Sequence, residues 1–138
     1  MAAVGRAVEL AKAAGAKRCI MLPVSAPFHC VMMAPAARVM EERLAEVSMS
    51  QPVVPLVANV TAEEVRDPAE IRRLLVEQVT ALVRWRESVR FMKRAGVDTV
   101  VEVGAGKVLS GLVRRIDREL NSSAIGTPAE IEAFLKTT

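Results

Sequence analysis

Residues 23–29 run Pro-Val-Ser-Ala-Pro-Phe-His and carry the only histidine of the chain, His29. An imidazole titrates near pH ~6.5, so histidine can accept and return a proton at neutral pH as a general base. Each proline ring fixes its own φ and biases the preceding residue toward extended geometry, so the segment aims the side chain. A single histidine more often fills a structural role, and its surroundings have to decide. Cys30 follows directly and would be a nucleophile if it met the imidazole. Consecutive residues of an extended chain point to opposite sides, which argues against a Cys–His pair.

Two further patterns invite chemistry. Gly104-Ala105-Gly106-Lys107 looks at first like a phosphate loop. A P-loop needs four residues between its first glycine and the Gly-Lys pair, and Ser or Thr after it. Here one residue intervenes and Val108 follows, while Leu109 stands where a dinucleotide fingerprint needs its third glycine. A tight strand-to-helix turn is the better reading. Lys107, Arg114, Arg115 and Arg118 place four cations along the solvent side of the helix expected at 107–120. Such a run is by default a solvated face; its functional reading is a docking surface for an acidic protein.

The elements that must position these residues alternate helix and strand. Residues 2–14 read as a helix closed by Gly15, and 17–23 as a short strand leading into the histidine segment. A helix from about 32 to 47 carries the apolar stripe Met33, Ala36, Ala37, Met40, Leu44 and Val47. Pro52 to Val60 reads as a buried strand, with Pro55 marking an edge or a bend. Asp67-Pro68-Ala69-Glu70 is a capping-box start, and Ile71, Leu74, Leu75 and Val79 form the inner face that follows. Gln78 lies on that side near the helix end. A helix over 84–95 buries Trp85, Val89 and Met92, and Val97 to Val103 is the clearest strand. Val108, Leu109, Leu112, Val113 and Ile116 line one face of the 107–120 helix, and Thr127-Pro128-Ala129-Glu130 starts a last one. Strands separated by helices imply a parallel sheet buried on both faces, so the expected fold class is α/β with flanking helices.

Three segments carry a resemblance. Met21 to Cys30, with its Ser-Ala-Pro-Phe-His core, resembles the histidine motif of malonyl-CoA:acyl carrier protein transacylases. Leu75-Val-Glu-Gln-Val-Thr-Ala-Leu-Val-Arg-Trp85 resembles that family's Gln-containing helix and its Val-x-Trp. Val101-Glu-Val-Gly-Ala-Gly-Lys-Val-Leu-Ser-Gly-Leu112 resembles its Glu-Val-Gly-Pro-Gly-Lys-Val-Leu block. The three occur in the family's order across most of residues 1–120. Ala105 and Leu82 each stand where the family commonly has proline.

The resemblance implies a serine–histidine acyl transfer without a prosthetic cofactor, from malonyl-CoA to the phosphopantetheine thiol of acyl carrier protein. It implies His29 as the base and the main-chain carbonyl of Gln78 as the group that orients it. Without the family, Gln78 is a core-edge glutamine satisfying backbone groups. Phe28 would shape the acyl pocket against an α-methyl branch, or simply pack the loop. Asn59 matches a family asparagine and equally suits a turn. The family's Gly-x-Ser-x-Gly elbow is absent, because no serine of the chain has glycine at both second neighbours. The chain therefore looks like the carboxyl-terminal portion, somewhat under half, of a two-subdomain enzyme. Residues 1–32 would be a remnant of its ferredoxin-like subdomain, and 33–138 part of its hydrolase-like one. The missing amino-terminal half becomes a required partner.

Composition sets the outer bounds. At 138 residues, 51% hydrophobic, with three Phe, one Trp and no Tyr, this is an Ala/Val/Leu/Met core. No apolar run approaches the ~20 residues of a membrane-spanning helix, no secretory signal is visible, and a cytoplasmic location is expected. Cys19 and Cys30 have no metal-ligand spacing and read as free thiols. The net charge of +3 without stacking aromatics argues against nucleic acid and for an anionic ligand or protein. Three other readings stay open: a polyketide synthase acyltransferase domain, a non-catalytic module completed by a partner, and a Cys-dependent hydrolase using Cys30 or Cys19.

Overall fold

Gly15 adopts the left-handed φ of +90° and ends the first helix, α1 (Ala2–Ala13), as its sequence position requires. The computed structural model describes residues 2–21, 24 and 26–137, with the side chain of Ala2 left aside. The segment between Ala16 and Met21 is not a strand, against expectation; Leu22, Pro23 and Ser25 lie outside the described residues. A short apolar run becomes a strand only where another strand offers its backbone groups, and among the described residues none does.

A 3-10 turn (Val31–Met33) leads into α2 (Ala34–Ala45), which tolerates Pro35 in its first turn. Its stripe is only partly covered: Leu44 is half-buried, while Met40 and Val47 are exposed. The Pro52–Val60 stretch also departs from expectation. Only Leu56–Val57 (β1) pairs, antiparallel to Glu64–Val65 (β2), and Val53 is 96% exposed. This is a hairpin ribbon, since the apolar residues before Pro55 find no layer to enter.

Asp67 caps α3 (Pro68–Glu77) by accepting the Glu70 N–H. The reciprocal half of the expected box is missing, because the Glu70 carboxylate turns to Arg73 at 2.7 Å. Ile71 and Leu74 are buried on the face where α3 meets α2. The next helix, α4 (Trp85–Arg94), inserts Val89 into the main core and ends before Gly96, again left-handed at φ +90°.

The parallel sheet is smaller than expected. Thr99–Val103 (β3) pairs in parallel with Asn121–Ile125 (β4), with Thr99 opposite Asn121 and Val103 opposite Ile125. Between them α5 (Val108–Ile116) crosses the sheet, and α6 (Pro128–Leu135) follows. The helix thus stops four residues short of the expected 120, and β4 was not foreseen. Asn-Ser-Ser-Ala-Ile lacks the apolar run of a buried parallel strand, and its place rests on main-chain pairing plus the Ser122 hydroxyl, which donates to the Ser110 carbonyl at 3.0 Å.

Val89, Val113 and Leu120 form the buried core, with Trp85, Met92, Val100 and Ile116 packed around it. Val100 points to the α5 side, so by strand alternation Val101 and Val103 share the opposite face. Val103 is 75% exposed there. On α5 the expected apolar face is split: Val113 is fully buried, while Val108, Leu109 and Leu112 are exposed. The chain builds one side of a layer and leaves the other uncovered.

Candidate active site

Two distant segments meet at His29. The histidine has φ +56°, left-handed for a residue with a Cβ, a conformation that histidine tolerates better than most. Its Nδ1 lies 3.0 Å from the main-chain oxygen of Gln78. A carbonyl only accepts, so Nδ1 carries a hydrogen, and in the neutral ring the lone pair is then on Nε2. The oxygen it meets is open for a simple reason. Gln78 is the C-cap of α3, and the last carbonyls of a helix have no partner within it. Both are accessible here, with His29 on the surface and Gln78 half-buried.

The cysteine alternative does not assemble. Cys30 is extended, and its thiol donates to the Pro27 carbonyl at 3.1 Å rather than facing the imidazole. Cys19 and Cys30 are both free thiols. Three serines are also occupied: Ser88, Ser110 and Ser122 donate their hydroxyls to the carbonyls of Arg84, Lys107 and Ser110. Ser25 lies outside the described residues.

Phe28, beside the histidine, is 56% exposed. With Val31 and Met32 it forms an uncovered apolar rim, which is one wall rather than a pocket. An open recess of about 600 Å³ sits elsewhere, between the β1–β2 hairpin and α4, lined by Thr61, Ala62, Arg84, Glu87, Arg90 and Phe91 among others. Its charges are mixed and it includes neither His29 nor Phe28. Asn59 borders this region, where its main-chain carbonyl accepts the Arg84 N–H.

Glu102 was not singled out in the sequence, yet it closes the glycine turn. Its carboxylate accepts from the N–H groups of Ser110 at 2.9 Å and Leu109 at 3.2 Å, the first turn of α5. The Ser110 N–H, with Leu109 next, holds this carboxyl below the ordinary carboxylate range. The helix terminus that would hold a phosphate already holds an internal carboxylate, which removes the phosphate-loop reading on structural grounds as well. The one available signal was an acidic residue just before a Gly-x-Gly turn.

The four cations do not share a helix face as expected. Lys107 is the residue before α5, Arg114 and Arg115 occupy its last turn, and Arg118 lies beyond its end at Ile116. All four are exposed, but Arg114 also donates to the Ser122 carbonyl at 2.7 Å, tying α5 to β4. Among the described residues, no helix is long and apolar enough to cross a membrane.

Comparison with known proteins identifies the relatives. No protein-family model matches the chain. The malonyl CoA-acyl carrier protein transacylase of Salmonella typhimurium is 47% identical over 133 residues, which is 96% of this chain and 43% of that protein. The chain is homologous to part of the malonyl CoA-acyl carrier protein transacylases. It spans well under half the length of the curated relatives it matches. The crystal structure of an acyl-carrier-protein S-malonyltransferase from Bartonella henselae superposes with TM-score 0.89 at 50% identity, covering 98% of this chain and 43% of that one. A second neighbour is a malonyl-transacylase solved with its type II polyketide acyl-carrier protein, at TM-score 0.88 and 39% identity, covering 99% and 44%. The small α/β fold with its parallel strand pair is therefore that of a segment of these transacylases.

Proposed function

We propose that this chain is the carboxyl-terminal part of an enzyme that moves a malonyl group from coenzyme A to the phosphopantetheine thiol of acyl carrier protein. The observation that carries the reading is the His29 Nδ1 to Gln78 carbonyl contact at 3.0 Å, which leaves Nε2 as a base. A serine from the missing amino-terminal half attacks the thioester carbonyl carbon while Nε2 takes its proton. The carbon–sulfur bond breaks, and the protonated imidazole returns the proton to the leaving thiolate. The carrier thiol then repeats the sequence on the malonyl ester, in two half-reactions. A main-chain carbonyl selects the tautomer without contributing the full negative charge of an aspartate.

In this reading Phe28 shapes the acyl pocket once the missing half covers its rim. Residues 1–32 complete a ferredoxin-like subdomain and 33–138 a hydrolase-like one, in a cytoplasmic enzyme. Lys107, Arg115 and Arg118 steer the acidic carrier protein, and Arg114 contributes beside its structural bond. Arg115→Glu is the cleaner reversal, since Arg114 also holds β4. A sibling reading, an acyltransferase serving polyketide synthesis, is supported by the neighbour solved with a polyketide-type carrier protein.

The test joins this chain to the serine-bearing half, covalently or by co-expression, and records intact mass after malonyl-CoA. A malonyl-sized gain on one serine, lost in the His29→Ala variant, is the expected outcome. Equal acylation in that variant would remove His29 from the mechanism. Acylation of Cys30 in the isolated chain would revive the cysteine reading.

A further inference from the structure

We propose that Arg84 is a positioning residue for the His29–Gln78 pair, because it keeps the chain from closing the carbonyl that His29 needs. The inference rests on the function proposed above and concerns the turn that ends α3. Gln78 N–H makes a regular helical bond to the Leu74 carbonyl at 3.0 Å, and the last bond of that kind runs from Ala81 N–H to the Glu77 carbonyl. Between the two the chain tightens, with Val79 bonding Val76 and Thr80 bonding Glu77, both at 3.2 Å. The Glu77 carbonyl is crowded, accepting the N–H of Thr80, the N–H of Ala81 at 3.1 Å and the Thr80 hydroxyl at 3.4 Å. The Gln78 carbonyl, one residue on, takes no main-chain donor among the described residues and meets His29 instead.

The regular helical partner of that carbonyl is the N–H four residues later, on Leu82. Continuing the helix by one residue would give the oxygen to Leu82 and leave the imidazole to compete for it. Arg84 opposes this from two positions. Its own N–H donates to the Asn59 carbonyl at 3.2 Å, and its guanidinium donates to the Thr61 carbonyl at 3.0 Å. Both acceptors lie in the β1–β2 loop, which precedes α3. The loop is firm: Ala58 and Ala62 are buried, and Ala62 N–H bonds the Ala58 carbonyl at 2.8 Å. Arg84 thus ties the segment before α3 to the segment after it and draws residues 79–84 off the helical path. Its carbonyl then starts α4 by accepting the N–H and hydroxyl of Ser88, so the turn is held at both ends.

The experiment uses the complete enzyme and malonyl transfer to carrier protein. Arg84→Met removes the guanidinium donors and keeps most of the stem. Its kcat should fall about 10-fold with KM for malonyl-CoA little changed, in line with the rate cost of slight misplacement of a catalytic group. Leu82→Pro then deletes the competing N–H at an exposed position, and adding it to Arg84→Met should restore most of the lost kcat. In a His29→Ala background Arg84→Met should cost nothing further, the non-additivity expected of residues acting as a unit. No loss in Arg84→Met, no rescue by Leu82→Pro in a folded protein, or an equal loss in the His29→Ala background would each overturn the proposal. Should Arg84→Met fail to fold, Arg84→Lys keeps the cation and carries the same rescue and background tests. If His29→Ala itself leaves transfer unchanged, the proposed function fails rather than this inference.

Discussion

The carboxylate of Glu102 accepts the N–H of Ser110 at 2.9 Å, so the strand before the glycine turn caps the helix after it. This bond and its companion to Leu109 hold Gly104-Ala105-Gly106 in one shape, in which Gly104 and Gly106 both have positive φ. The carboxylate also satisfies donors at the positive end of α5.

Stability should therefore depend on pH through Glu102. Its folded-state titration is lowered by the main-chain donors, Ser110 first. A lowered carboxyl contributes stability above its unfolded value near ~4.3 and loses it as pH falls through the folded value. In the complete enzyme, Glu102→Gln should be less stable than the parent at pH 7, with the gap narrowing as the pH drops below about 4. Denaturant midpoints across that range measure it, and a gap independent of pH would contradict the account.

Gly126 should not accept a side chain. A Cβ built there would sit 2.5 Å from the Gly104 carbonyl oxygen, a main-chain atom with little room to move. Gly126→Ala should cost on the order of 1–3 kcal/mol, as overpacking does, and disturb the glycine turn. Thermal unfolding of the complete enzyme reads the cost, and an unchanged midpoint would show that the turn adjusts freely.

The Gln78 side chain should matter far less than its carbonyl. The atom that meets His29 is a main-chain carbonyl oxygen, which alanine supplies equally. Gln78→Ala in the complete enzyme should keep kcat within about threefold, the scale of a surface substitution. A loss as large as that of His29→Ala would show that the amide takes part in the chemistry.

Alone, the chain should associate. Val103 on the sheet and Val108 on α5 are 75% and 70% exposed, and Phe28, Val31 and Met32 are uncovered near the histidine. Large apolar side chains left exposed in such number mark interaction surface in soluble proteins. Sizing the isolated chain over a range of concentrations should give a rising apparent mass. Co-expression with the serine-bearing half should replace that with one complex of fixed mass.

Much of the secondary structure was legible because its cues are local. Gly15 and Gly96 end helices, Asp67 and Thr127 start them, and each acts through neighbours within a few residues. Thr127 and Glu130 form the full reciprocal box. Even there a limit showed at α3, where Arg73 takes the Glu70 carboxylate that the same pattern assigned to the cap. The polar β4 was invisible because its place depends on pairing with β3, and the described part of the 17–23 segment and the 52–60 segment misled because an apolar run says nothing of whether a partner strand exists.

Residue type and short spacing by themselves determined the one histidine in its proline-bounded segment, the helix ends and the lack of a serine elbow. Those follow from covalent constraints and hydrogen bonds that span a few residues. The tertiary structure alone decided which carboxylate caps α5, that Gly126 lies against Gly104, and that Arg84 bridges the two sides of α3. It also decided that His29 stands in a left-handed conformation with Nδ1 on the Gln78 carbonyl, across 49 residues of chain. Contacts at that separation form only when packing such as that of α2 on α3 brings the segments together, because nothing local to either residue sets the distance between them.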